Sequence, residues 1–236
     1  FNVVLLVNII LSSCTKKDVI KLPITTSSQK ALEYYNRAML SYEVGDGPET
    51  RADLDSALAL DPDFAMALEM YDSQDPLLKK EHREKAKSLF QKITKAEKKM
   101  IEIRESYRNG DMNKALDNAK WLVNNHGDSY ESHVWLGQVQ SDRYELDDAI
   151  KTLKTAIELN PDCYDAYSLL MGHHIAAGTQ VMLPEEKRDI ELGMKYGDEL
   201  IRIRGDHGFP YHFKANVYRQ LGEFEKARPL YEKSII

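Results

Sequence analysis

The chain is poor in residues that break or staple a fold. Glycine and proline are scarce, at 12 and 8 of 236 residues, while alanine, leucine, glutamate and lysine are common. That balance makes long helices the economical expectation. There are two cysteines, Cys14 and Cys163, in unlike contexts, so no disulfide framework is expected. Basic charge is not in excess: 32 Lys and Arg face 38 Asp and Glu, a net charge of -6. A nucleic-acid binder needs a basic face to displace counterions, so no nucleic-acid partner is expected. The sequence has no Gly-rich phosphate loop, no G-x-S-x-G and no H-E-x-x-H. What remains is 42% hydrophobic and 30% charged, the balance of a soluble globular protein. The length suits one compact domain or one modest repeat array.

No apolar run is long enough to span a bilayer, which takes about 20 residues. Val3 to Leu11, apolar apart from Asn8, has the length of a signal-peptide core. Leu11-Ser12-Ser13-Cys14 follows directly. This resembles the bacterial lipobox, an aliphatic residue and two small residues before a cysteine. The resemblance implies that the Cys14 thiol carries a lipid and becomes the new N-terminus. The alternative is a buried N-terminal strand ending in a core cysteine. The sequence starts at Phe1 with no basic region before the apolar run, so further residues are expected upstream. Thr15 stands where Asp would suggest inner-membrane retention, and Lys16-Lys17-Asp18 is loosely similar to charged surface-export tags. The expected location is the bacterial cell envelope, anchored by lipid, in the outer membrane with its face undecided. Residues 15–30 (TKKDVIKLPITTSSQK) have no helical period and are expected to form a flexible tether spanning about 20–25 Å.

The remainder repeats. Leu136-Gly137, Ala149, Leu153, Ala156 and Asn160-Pro161-Asp162 recur in altered form at a fixed period. On that shift Ala149 falls on Ala115, Tyr144 on Gly110 and Pro161 on Gly127. Gly45, Gly110, Gly178 and Gly222 fall at the turn within a unit, followed in three cases by Asp46, Asp111 or Glu223. The period and the spacing of L-G, A-x3-F and P are similar to those of the tetratricopeptide repeat (TPR), with Leu in place of Phe. The resemblance covers 31–236 and implies an all-α, right-handed α-solenoid of about six helix-turn-helix units. They run roughly 31–64, 65–95, 96–129, 130–163, 164–207 and 208–236. The second unit is degenerate. The fifth is overlong, with Thr179 to Leu183 and beyond inserted before Pro184-Glu185-Glu186, a good helix start. The excess lengthens the inter-helix loop or extends the second helix. The boundary slot of the last unit would fall just past Ile236, so either the native chain continues or its final helix is short and exposed.

Small residues such as Ala38, Gly137 and Ala149 let paired helices approach, and Leu136, Tyr218 and Tyr231 fill the space between pairs. One unit cannot bury its apolar face alone, so stacking supplies the stability.

Chemistry-bearing clusters are few. His173-His174 are adjacent on a helix and point about 100° apart, poor geometry for holding one ion. Asp206, His207 and His212 flank Gly208-Phe209-Pro210 with no supporting thiolate. Cys163 has no nearby base in sequence and reads as a small core residue. The pairs Glu185-Glu186 and Asp147-Asp148 suit solvated helix faces. From Lys79 to Glu105 acids and bases interleave, as on a salt-bridged helix face; a basic partner site is the other possibility. No enzyme activity, cofactor or metal is expected.

In the TPR family the first helix of each unit lines a concave groove. By slot, that implies Tyr35, Met39 and Tyr42 in the first unit and Met100, Arg104 and Tyr107 in the third. The fourth supplies Glu131, Val134 and Gln138, the fifth Asp165 and Ser168, and the sixth His212, Asn216 and Arg219. Tyr, Met and Arg are favoured at interfaces, although Tyr35, Tyr42 and Tyr107 could equally pack between helices. Chaperone-binding members clamp a C-terminal carboxylate with Lys and, one turn on, Asn; here His212 and Asn216 hold those slots, so no clamp is expected. The implied function is a lipid-anchored scaffold that binds another protein or peptide in the envelope. The alternatives are glycan or ligand capture, with Phe209-Pro210-Tyr211 as the candidate aromatics, or the TPR region of a chain with a further C-terminal domain.

Overall fold

The computed structural model describes residues 18–175 and 182–235. Cys14 and its leader, the start of the tether, Gly178, Thr179 and Ile236 lie outside the described residues. Among the described residues all regular structure is helical. The helices pair as α1 (Gln29–Glu43) with α2 (Gly47–Leu60), α3 (Ala65–Met70) with α4 (Pro76–Ser88), and α5 (Lys95–Asn109) with α6 (Met112–Asn125). They continue as α7 (Tyr130–Asp142) with α8 (Leu146–Leu159), α9 (Tyr164–His174) with α10 (Ile190–Arg204), and α11 (Gly208–Gln220) with α12 (Phe224–Lys233). The result is a helical solenoid of six helix pairs. No described helix is long and apolar enough to cross a membrane.

Local sequence sets each pair. Gly110 turns the chain at φ 70°, a left-handed conformation that costs glycine little. Asp111 follows and caps α6 by accepting the Lys114 amide at 3.0 Å. Asp46 caps α2 in the same way, whereas Glu223 makes no side-chain cap at α12. Tyr144, in the slot of Gly110, takes φ 62° without being glycine. Gly137 lets α7 lie against α8: a Cβ built there would sit 2.6 Å from Leu153 side-chain atoms. Ala149, Ala115 and Ala38 are fully buried at the matching close approaches.

The degenerate second unit has a six-residue first helix, and every one of its residues is buried. It serves as core more than as surface. In the fifth unit α10 keeps an ordinary length, and the described part of the excess, 182–189, contains no α-helix. Glu185–Lys187 form only one 3-10 turn. The α-helix starts later, where Asp189 caps it by accepting the Leu192 amide at 2.9 Å. A side-chain cap outcompetes the Pro-Glu-Glu start because Arg188 is already extended and directs its guanidinium back to the Leu183 carbonyl, 2.7 Å away.

The interleaved charges of α4 and its flanks pair among themselves: Lys79 with Asp72, Lys85 and Lys92 with Asp63, and Lys87 with Glu105. The array also curls. Val44, just after α1, is buried with Tyr164, Met171, Leu200 and Phe213 of the fifth and sixth units. Arg204 donates to the Leu40 carbonyl at 2.7 Å across the same junction.

Candidate functional site

The chain's own residues 22–27 already lie against Glu131, one of the expected groove positions, and against Glu97 and Asp61. Among the described residues 18–30, a free tether is not what forms. Residues 18–21 are exposed, but from Leu22 to Ser27 the chain, without regular structure and bent at Ser27, reaches the starts of α7 and α5 and Asp61 just ahead of α3, and α1 begins at Gln29. The physical reason is a row of carboxylates. The Leu22 amide donates to Glu131 Oε2 at 2.6 Å. The Thr25 amide and hydroxyl donate to Glu97 Oε1 and Oε2 at 2.8 and 2.7 Å. The Thr26 hydroxyl and the Ser27 amide both reach Asp61 Oδ2, at 2.6 and 2.7 Å. An extended segment has no internal amide partners, and each buried amide needs one. Leu22 adds an apolar anchor, 4% exposed, in the main core.

Glu97 is the hub. It is fully buried and also completes a capping box with Thr94, accepting the Thr94 amide and hydroxyl at 2.8 Å each. Glu131 lies one repeat length beyond Glu97, and Asp165 one repeat length beyond Glu131. The row thus follows the repeat itself, one carboxylate at the start of the first helix of each of three consecutive units.

Beyond Leu22 the row continues without donors. Among the described residues, no hydrogen bond or ion pair engages the carboxylates of Asp165 or Glu43. Burial, then the neighbouring charge of Glu131, raises Asp165 to about 6. Burial, then Asp165, raises Glu43 to about 8, with Arg204 and Lys21 opposing. Burial also raises Glu131, partly offset by the Leu22 amide and Lys21. Asp61 goes the other way: burial pushes it up, but the bonds from Thr26 and Ser27 outweigh that and hold it below its usual value.

The groove residues expected from slots separate into groups. Tyr35 is buried against Phe64, ring centroids 5.0 Å apart, and Met100 is buried in the same core. Met39 packs half-buried against it, while Tyr42 is 53% exposed. Arg104 is tied, with Arg108, to the fully buried carboxylate of Glu69. Tyr107 and Gln138 converge on Asp142 Oδ2 at 2.7 and 2.8 Å. Val134 and Ser168 are half-buried, the former against the core of the fourth and fifth units. His212, Asn216 and Arg219 gather around Tyr231, whose hydroxyl donates to Asn216 at 2.7 Å. The slots missed Glu97, Asp61 and Glu43. One repeat step back from Glu131 to Glu97 was the available signal for the first.

Other candidates resolve into structure. His173 is buried with Nε2 2.9 Å from the Ser141 hydroxyl, and burial, then His174, lowers it to about 4. His174 Nδ1 accepts the Asp189 amide at 3.1 Å, so the two rings serve different partners. Burial pushes the Cys163 thiol far up, which suits an inert core residue. His207 bonds Arg204, away from His212. Phe209-Pro210-Tyr211 are not loop aromatics. They form the first turn of α11, with Pro210 buried and Phe209 against Phe213 at 4.2 Å. Phe209 keeps 37% of its surface exposed there.

Residues 130–163 and 210–235 match the tetratricopeptide repeat profile. No curated protein matches the chain. Similar solved structures include MamA, at 18% identity and TM-score 0.47 over 84% of this chain and 92% of that one. YrrB, described as a TPR protein with an unusual peptide-binding site, is 21% identical with a TM-score of 0.45, over 78% and 91%. TTC0263, a TPR protein of Thermus thermophilus, is 15% identical with a TM-score of 0.44, over 87% and 90%. The matched repeats coincide with the fourth helix pair and most of the sixth. Two stretches of the chain therefore match the tetratricopeptide repeat on an all-helical scaffold, and no enzyme family is indicated.

Proposed function

We propose that this chain is a lipid-anchored scaffold of the bacterial cell envelope that binds another protein through its concave face. The observation that carries the binding half is the extended polypeptide already lying in the groove, with backbone amides on Glu131, Glu97 and Asp61. The anchoring half rests on Leu11-Ser12-Ser13-Cys14. Because Leu22 is held in the body, the link from Cys14 to it can span at most about 26–29 Å. The body then stands close to the membrane, with the open end of the groove nearest the lipid.

Crosslinking in cells tests the binding half, with photoreactive residues at Arg104, Gln138 and Asn216 of the full-length chain. One envelope protein captured through these positions supports the scaffold. Capture only through positions outside the groove overturns it. The anchor is tested by Cys14→Ser, expected to move the full-length protein from the detergent phase to the aqueous phase; unchanged partitioning overturns the anchor.

A further inference from the structure

Resting on that groove-binding reading, we propose that residues 18–27 are a resident occupant of the groove, displaced by an extended segment of another protein. The displacing segment has an apolar residue, Ser or Thr three to five positions after it, and Lys or Arg two or three before it.

The chemistry of the contacts defines that segment. Amide donors from Leu22, Thr25 and Ser27 to three carboxylates recognise backbone and carry no side-chain preference. Preference comes from three places. The Leu22 pocket takes one apolar side chain. Glu97 and Asp61 each accept a hydroxyl, from Thr25 and Thr26. A carboxylate beside the chain rewards such donors and repels an acidic segment.

The occupant leaves part of the groove unused. Asp165 continues the periodic row past Glu131, and Glu43 stands beside it. Neither carboxylate has a donor among the described residues, while residues 18–21 of the occupant are exposed. Lys21 sits close enough to influence Glu43 and Glu131 but pairs with neither. A partner segment that places a cation between Glu43 and Asp165 gains an interaction the resident segment lacks. It also covers half-buried carboxylates that are costly while unpaired. The resident segment is anchored by Leu22 in the core and the half-buried Ile24 against it, with Pro23 and Ser27 exposed. Self-occupation lowers apparent affinity by the fraction of open groove, which keeps weak or mismatched segments out.

The probe is a labelled synthetic peptide with the sequence of residues 18–28, titrated into detergent-solubilised full-length protein. Leu22→Asp puts a carboxylate into the apolar pocket that holds the Leu22 side chain and weakens the resident segment. That variant is expected to bind the peptide at least tenfold more tightly than the unaltered chain. Adding Glu131→Gln to it should lower affinity about tenfold, and a peptide with Lys in place of Val19 should bind more tightly. Equal affinity in the two chains, or no saturable binding by a Leu22→Asp protein with unchanged helicity, overturns the proposal. Amide hydrogen exchange on the unaltered chain covers the case in which that variant unfolds. Leu22, Thr25 and Ser27 are expected to exchange at least a hundredfold faster than Leu153 and Ala156. Exchange at the same rate as those core amides means the segment leaves only when the whole array unfolds, and overturns displacement. A partner crosslinked at the groove with no peptide binding leaves the scaffold standing without the resident-ligand inference; peptide binding with no crosslinked partner does the reverse.

Discussion

Two stretches of one groove hold their carboxylates under opposite conditions. Between the first and fourth units, Asp61, Glu97 and Glu131 are loaded with donors from the chain's own extended segment. At the fifth unit, Asp165 and the nearby Glu43 are half-buried and, among the described residues, unpaired, and burial raises both. The slot is the same, since Glu97, Glu131 and Asp165 are each separated by one repeat length. A repeat therefore sets where a carboxylate stands, while the occupant of the groove decides whether that carboxylate stabilises the fold or strains it.

Removing the busiest carboxylate should have the largest effect. Glu97→Ala strands two amides and two hydroxyls, from Thr25 and Thr94. Stranded buried donors cost about 1–3 kcal/mol each where water cannot reach them, so a net loss of about 3 kcal/mol is expected. At about 2–4 °C per kcal/mol for a chain of this size, calorimetry should show Tm lower by roughly 6–12 °C. A drop under about 2 °C would mean that the loaded stretch contributes no more than the open one.

Gly137→Leu strikes the scaffold away from the groove occupant. With Leu153 atoms 2.6 Å from where a Cβ would stand, overpacking should cost about 2 kcal/mol or more. The exchange rates of Leu22 and Thr25 relative to the core should not change in that variant. An unchanged melting curve would refute the register that pairs α7 with α8.

The open stretch should show itself through pH. A carboxyl raised in the folded state binds its proton more tightly there than in the unfolded chain. Its contribution is full below the unfolded value and is lost as pH rises through the folded one. For Glu43 that window runs from about 4.5 to about 8. Other groups overlap its lower part: Asp165 titrates at about 6, and the lowered His173 and His174 act in the opposite sense up to their usual 6.5. Between pH 6.5 and 8 the histidines drop out, leaving the raised carboxyls of the row, Glu43 foremost. The unaltered chain should lose stability across that interval, about 1 kcal/mol after allowing for solvent screening. Glu43→Gln should flatten the loss in urea titrations at the two pH values. An identical slope in both proteins would show that the carboxylate finds a donor after all.

Much of the scaffold was legible because repeats write their period into the sequence. The six pairs and the turn glycines Gly45, Gly110 and Gly222 fall where that period puts them. The groove occupant was not legible. Thr25, Thr26 and Ser27 look like linker residues because their partners are remote in the chain, and composition does not report a long-range donor. The slots also pointed Tyr35 and Met100 toward the groove, with packing between helices left open for Tyr35; both are buried, since neighbouring helices come close enough to enclose them. The closure of Val44 onto the fifth and sixth units depends on superhelical curvature, which accumulates over several units and leaves no mark in any one of them.

The smallest expected effect compares two turns in one slot. Gly110 and Tyr144 stand one repeat length apart and adopt φ 70° and 62°. For a residue with a side chain that conformation costs about 1–2 kcal/mol. Tyr144 is 70% exposed, so little packing offsets the cost. Tyr144→Gly relieves the backbone but gives the unfolded chain more freedom, about 0.5–1 kcal/mol in the other direction. The net expectation is a gain of about 0.5 kcal/mol, or a Tm higher by roughly 1–2 °C. A lower Tm would mean that the tyrosine ring stabilises the α7–α8 turn by more than its backbone strain, and the side chain would then be a surface contact in its own right.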